Sequence, residues 1–154
     1  MKTRTILGSL VAFFAGLTLC LAADITTGTW KLNEAKSNFS PGTGKNMTVV
    51  YEVVGDNTKV TVDGVDKDGK ALHTVWTGKF DGKDYPVTGN PNEDVRSYTK
   101  VDDHKLDFAS KSGGKASAIG HVVVSTDGKS RTVNTTVTDS SGKKASSVAV
   151  YDKQ

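Results

Sequence analysis

Along most of the chain, apolar and polar residues alternate with a period of two. Val60 and Val62 stand opposite Lys59, Thr61 and Asp63, and Leu72, Trp76 and Phe80 share one parity. Val133 and Val137 oppose Thr132, Asn134, Thr136 and Thr138. A period of two sends successive side chains to opposite faces of a strand, so one face meets a core and the other meets water. Short polar clusters, most of them containing Gly, punctuate the pattern. They are Gly55-Asp56-Asn57, Asp68-Gly69-Lys70, Asp81-Gly82-Lys83, Asp102-Asp103-His104, Gly113-Gly114-Lys115, Asp127-Gly128-Lys129 and Ser141-Gly142-Lys143. Such clusters are hairpin chemistry, since Gly reaches the backbone conformations that tight turns require. The intervals between them hold one strand each and no crossover helix, so consecutive strands are expected to pair antiparallel.

The pattern predicts strands near 27–33, 46–54, 58–65, 70–80, 84–88, 94–101, 104–110, 115–125, 130–139 and 143–152. A short helical turn is expected around 34–38, stopped by Ser40-Pro41-Gly42. Two stretches, 47–54 and 121–124, are apolar on both parities, and the pattern alone does not orient them. Composition agrees with strand. From Asp24 onward there are 18 Val and 16 Thr but only 3 Leu and 7 Ala, a bias toward residues that suit a pleated surface. A meander of this many hairpins has two open edges, and closing the sheet on itself removes both. The expected fold is therefore all-β: a single antiparallel up-and-down β-barrel of about 8 to 10 strands. Barrels of that size are either filled by side chains or hollow enough for one small ligand. The inward-capable positions include the small residues Ala116, Ala118, Gly120, Ala145, Ser147 and Ala149, which give mild support for a cavity beside the alternative of a filled core.

The first 23 residues read differently. Lys2 and Arg4 precede an uncharged apolar run from Ile6 to Leu21, and Ala22 and Ala23 precede Asp24. That is the layout of a secretory signal peptide, which leaves residues 24–154 as one barrel domain and implies a secreted or periplasmic protein. The run is shorter than the roughly 20 apolar residues of a spanning helix, so no stable membrane insertion is expected after cleavage. Cys20 offers a lipoprotein reading, but Leu19 is larger than the residue that usually precedes a lipidated cysteine. Cys20 is also the single cysteine, so a cleaved chain would hold no disulfide, thiolate ligand or thiol nucleophile. Of the formal net charge of +3, two positive charges lie in the leader. The near-neutral remainder is not the basic footprint of a nucleic-acid binder.

Candidate chemistry is sparse. His73, His104 and His121 lack metal-ligand spacing, and no metal or cofactor is implied. Asp66-Lys67-Asp68-Gly69 faintly resembles a calcium loop, but Gly64 and Val75 would occupy its first and twelfth ligand positions, so a hairpin tip is expected. No Ser lies in a G-x-S-x-G elbow. The carboxylate pairs Glu93-Asp94 and Asp102-Asp103 fall in loops, where solvated turn acids are expected. Nothing here marks an enzyme. Tyr51, Trp76 and Phe80 are the best candidates to line an apolar pocket. Arg96 and Tyr98 share a parity and would offer a guanidinium and a phenol to a ligand carboxylate. Val95 and Val101, on the other parity, argue that this pair faces outward. Arg131 shares the parity of Val133 and Val137, and either guards a barrel mouth or snorkels to solvent.

Gly28-Thr29-Trp30, followed by Lys31-Leu32-Asn33, resembles the G-x-W signature on the first strand of lipocalins and their calycin relatives. The run 28–37, together with 39–42 and 83–90, is similar to a group of small exported bacterial proteins of unknown function described as lipocalin-like. The resemblance implies that Trp30 closes one barrel end against a basic side chain of a late strand, Lys153 or Lys144. The Arg96-x-Tyr98 pair is also similar to the R-x-Y of fatty-acid-binding proteins. The function implied is non-catalytic binding of a small hydrophobic or amphipathic molecule. The alternative is a structural or interaction protein of the cell envelope with a filled barrel.

Overall fold

The computed structural model describes residues 24–154. The signal-peptide reading and Cys20 lie outside the described residues. Ten strands follow in order: β1 (Gly28–Leu32), β2 (Lys45–Val54), β3 (Asn57–Val65), β4 (Ala71–Gly78), β5 (Tyr85–Thr88), β6 (Val95–Lys100), β7 (Lys105–Ser112), β8 (Lys115–Val124), β9 (Ser130–Thr138) and β10 (Lys144–Lys153). Each lies within two residues of its expected place. Every strand pairs antiparallel with its neighbours in sequence, and β1 pairs with β10, with Trp30 opposite Lys153, to close the barrel. The fold is the expected closed up-and-down barrel, in which every strand has a neighbour on each side.

The one long connection, between β1 and β2, holds a single 3-10 turn at Glu34–Lys36. Asn33 caps it, its side chain accepting from the Lys36 N–H at 3.2 Å. The connection then runs beside β10, where the Asn38 N–H donates to the Val148 carbonyl at 2.7 Å.

The two stretches that pattern left unoriented are settled by closure. Val49 and Tyr51 on β2, and Val122 and Val124 on β8, point inward, whereas Val53, Val54 and Val123 are exposed. The side chains of one parity form a core of Trp30, Val49, Tyr51, Val60, Val62, Trp76, Val87, Tyr98, Leu106, Val122, Val124, Ala149 and Tyr151.

The interior is unequally filled along the barrel axis. At the end that carries the N-terminal residues and the β4–β5 connection, Trp76 stacks on Phe80 with centroids 6.2 Å apart. It also meets Tyr85 and Tyr98 edge-on at 5.8 and 4.9 Å. Gly78 makes this possible: a Cβ there would stand 2.5 Å from the Tyr85 ring and 2.7 Å from Trp76. Gly120 serves similarly, because the Phe108 ring lies where its side chain would be. Gly120 therefore makes room for an aromatic ring, which corrects its reading as open space. The opposite end is hollow.

Candidate functional site

A cavity of about 1060 Å³ occupies the hollow half and reaches the β3–β4, β5–β6, β7–β8 and β9–β10 loops and the residues just before β2. That volume lies just above the usual range of small-molecule sites, roughly 300–1,000 Å³. Its walls carry Val49, Val62, Leu72, Val133, Val137 and the small residues Ala116, Ala118, Ser147 and Ala149. These small side chains, placed inward by alternation on β8 and β10, are why space remains.

Four of the expected pocket residues line this cavity, namely Tyr51, Arg96, Tyr98 and Arg131. Trp76 and Phe80 do not. They belong to the packed aromatic cluster at the closed end, with Trp76 1% exposed, so their assignment to the pocket is corrected. Trp76 is fixed by its Nε1–H donating to the Arg96 carbonyl at 2.9 Å. Tyr98 lies at the boundary, packing on Trp76 below while facing the cavity above.

Arg96 and Tyr98 point inward, against the expectation drawn from Val95 and Val101. What turns β6 this way is a partner that parity does not reveal. Glu93, expected to be a solvated turn acid, is buried and receives two hydrogen bonds from Arg96, Nε to Oε1 at 2.6 Å and Nη2 to Oε2 at 2.7 Å. The Arg96 Nε also donates to the Ser110 hydroxyl at 3.1 Å, and Nη1 to the Tyr98 hydroxyl at 3.1 Å. The Asn90 amide donates to Glu93 at 3.2 Å. A bidentate carboxylate matches the planar fork of a guanidinium, and this satisfies both charges within the wall. Burial disfavours the charge on Arg96, but the Tyr98 oxygen and the Glu93 carboxylate outweigh it and keep the group protonated. Burial raises the pKa of Tyr98 well above the ordinary phenol value, although Arg96 pulls the other way.

Arg131 neither guards the mouth nor snorkels. It is 3% exposed, and its guanidinium carbon lies 5.0, 5.0 and 4.7 Å from the ring centres of Trp30, Tyr51 and Tyr151. Rings this close supply cation–π attraction to the guanidinium. Its Nε and Nη1, however, are buried and have no hydrogen-bond partner. Burial moves Tyr151 up to about 12 despite the opposing pull of Arg131, and its hydroxyl donates to the Asn46 carbonyl at 3.0 Å.

Trp30 is fully buried, and its Nε1–H donates to the Thr26 carbonyl at 2.8 Å. Lys153 Nζ lies 5.1 Å from the centre of its ring. Of the two expected basic partners, Lys153 is therefore the one in place, whereas Lys144 pairs with Thr138 at the far end of β10. Arg131 is a second basic partner that sequence reading missed. The available signal was its inward parity together with its position on a late strand. Among the described residues, no group of three or more His, Cys, Asp and Glu is arranged to hold a metal.

No protein-family model matches the chain, and no curated protein matches its sequence. Among solved structures, the chain is similar to a redesigned β-barrel bound to DFHBI. The TM-score is 0.49 and the identity 16%, covering 86% of this chain and 98% of that one. It is also similar to a de novo designed fluorescence-activating β-barrel, with a TM-score of 0.38 and 16% identity over 86% of this chain and 97% of that one.

Proposed function

We propose that the protein is an exported, non-catalytic carrier that holds one small amphipathic molecule inside its barrel, in the periplasm or outside the cell. The cavity of about 1060 Å³ carries this reading. A solid scaffold would fill both halves with side chains, and only the closed half is so filled. The wall combines apolar surface with a few convergent polar groups, Tyr51, Tyr98, Arg96 and Arg131, the usual make-up of a site that fixes orientation as well as affinity. The strongest acid–base candidates in the wall, Glu93 and Arg96, hold each other, a structural use of charge rather than one that leaves a proton free to transfer.

Titration of the 24–154 chain with dodecanoate and with neutral hydrophobic dyes, followed by intrinsic Trp fluorescence, tests the reading. Saturable binding at one molecule per chain supports it. A flat response to every probe refutes it. Detection of the mature chain, cleaved after Ala22 or Ala23, in the periplasmic or culture fraction tests the export part; a full-length cytoplasmic product contradicts it.

A further inference from the structure

We infer that the carried molecule is neutral and rigid, with its polar groups along one long edge, and that this edge lies against a polar stripe on the β5–β7 side of the cavity. This rests on the carrier reading and names the class of molecule carried. The β5–β6 loop gives the cavity Asn90, Asn92 and Glu93, β6 gives Arg96 and Tyr98, and β7 gives Ser110 and Ser112, with Phe108 as the one apolar member. The stripe therefore descends from the mouth to Tyr98 at the boundary of the packed end. It runs along the barrel axis.

The flanking wall is apolar below the rim. On one side β3 and β4 contribute Val62, Val65 and Leu72. On the other, β8 and β9 contribute Ala116, Ala118, Val122, Val133 and Val137, with Thr135 as the one hydroxyl. One row of the sheet shows the change: Arg96 pairs with Ser110, Ser110 with Ala118, and Ala118 with Val137. The wall thus turns from polar to apolar at the β7–β8 seam. In the closed ring, β10 and β2 lie across the cavity from the stripe and meet it with Val49 and Ala149. Ser147 on that side already accepts from the Ser40 N–H at 3.2 Å. Tyr51, Arg131 and Tyr151, each 3% exposed, form the base.

The chemistry of the matching edge follows from the donors left over. Arg96 Nε donates to Glu93 and Ser110, Nη1 to Tyr98 and Nη2 to Glu93, which leaves one further N–H on each of Nη1 and Nη2. The Arg96 side chain is 14% exposed and lines the cavity. Apolar surface laid along the stripe would leave those donors unpaired. Glu93 and Arg96 cancel each other's charge, so the edge needs none of its own, and hydroxyl, carbonyl or amide groups suffice. A chain with a single polar end meets such a stripe at one point only. A rigid ring system keeps several polar groups on one edge without the ordering cost that a flexible chain incurs.

The test uses two isomers of equal size and rigidity on the unaltered protein. In 1,8-dihydroxyanthracene both hydroxyls lie on one long edge, whereas 2,6-dihydroxyanthracene carries them at opposite ends. Each is titrated by its own fluorescence beside dodecanoate, and nuclear Overhauser contacts are recorded from the ring protons of the 1,8-isomer. We expect the 1,8-isomer to bind about tenfold tighter than the 2,6-isomer, the effect of placing two hydroxyls on partners instead of apolar wall. Its proton at carbon 9, between the hydroxyls, should contact Arg96 or Tyr98, and the proton at carbon 10 should contact Val49 or Ala149 methyls. Equal binding of the isomers, a preference for the 2,6-isomer, tighter binding of dodecanoate than of either, or the reversed contacts would overturn the inference and leave the carrier reading standing. Failure of both isomers and of dodecanoate to bind would overturn both.

Discussion

The Arg131 guanidinium carbon lies 5.0 Å from the centre of the fully buried Trp30 ring, so that ring supports a buried cation whose Nε and Nη1 have no hydrogen-bond partner. The two residues should respond very differently to replacement. Desolvation of an ion costs several kcal/mol, and three cation–π contacts return about 0.5–2 kcal/mol each. These nearly cancel, so Arg131→Met should change the unfolding free energy by less than about 1.5 kcal/mol. Trp30→Ala leaves a large hole and should cost about 3–5 kcal/mol. Urea unfolding followed by circular dichroism distinguishes the two, and a large loss in Arg131→Met would contradict the balance.

Glu93 and Arg96 behave as a unit. Their side chains are 4% and 14% exposed, so removing one strands the other's charge. Glu93→Gln should therefore destabilise by roughly 3 kcal/mol. The double replacement Glu93→Met with Arg96→Met should cost less than the sum of the two single changes. A double-mutant cycle measures this, and strict additivity would show that the pair is not coupled.

Gly78 is a packing requirement. Its added Cβ would meet Tyr85 and Trp76 well inside contact distance. Gly78→Ala should lower stability by about 1–3 kcal/mol and alter the near-ultraviolet circular dichroism of the aromatic cluster. An unchanged spectrum and midpoint would mean that the rings move aside freely.

Strong alkali should unfold the barrel through its phenols. Burial raises the pKa of Tyr98 and carries Tyr151 to about 12 from an ordinary 10.0. A raised folded-state pKa means that the unfolded chain gives up its protons first. The stability involved is thus complete below pH 10 and is lost as pH climbs toward about 12. Urea midpoints measured between pH 9 and 12 should fall steadily, and Tyr151→Phe should flatten part of that fall. A midpoint constant to pH 12 would contradict the burial of these groups.

The strands were legible because a barrel repeats one simple rule, an apolar side chain inward at every second position. Val60, Val62, Trp76 and Val133 obey it, and the turn clusters mark where each run ends. The site was only half legible. On β6 the inward positions are Arg96 and Tyr98, and their burial depends on Glu93 closing back across the wall and on Ser110 of β7 lying alongside. Neither partnership leaves a trace in the alternation, and the flanking valines argued the other way. Arg131 has the inward parity, but the facing rings of Trp30, Tyr51 and Tyr151 that hold a cation inside against the pull of solvent leave no mark in the alternation. The division of the interior was also hidden, since Trp76 and Tyr51 share an inward orientation and only register along the barrel separates packed core from cavity wall.

The most direct check is to occupy the hollow half with protein. Ala118 lines the cavity opposite Val137, so Ala118→Phe places a ring where the ligand would lie. We predict that this variant keeps its fold and its melting temperature within a few degrees, yet binds dodecanoate at least tenfold more weakly than the parent in side-by-side calorimetry. Equal affinity in the two proteins would place the ligand elsewhere and contradict the claim that the barrel interior is the binding site.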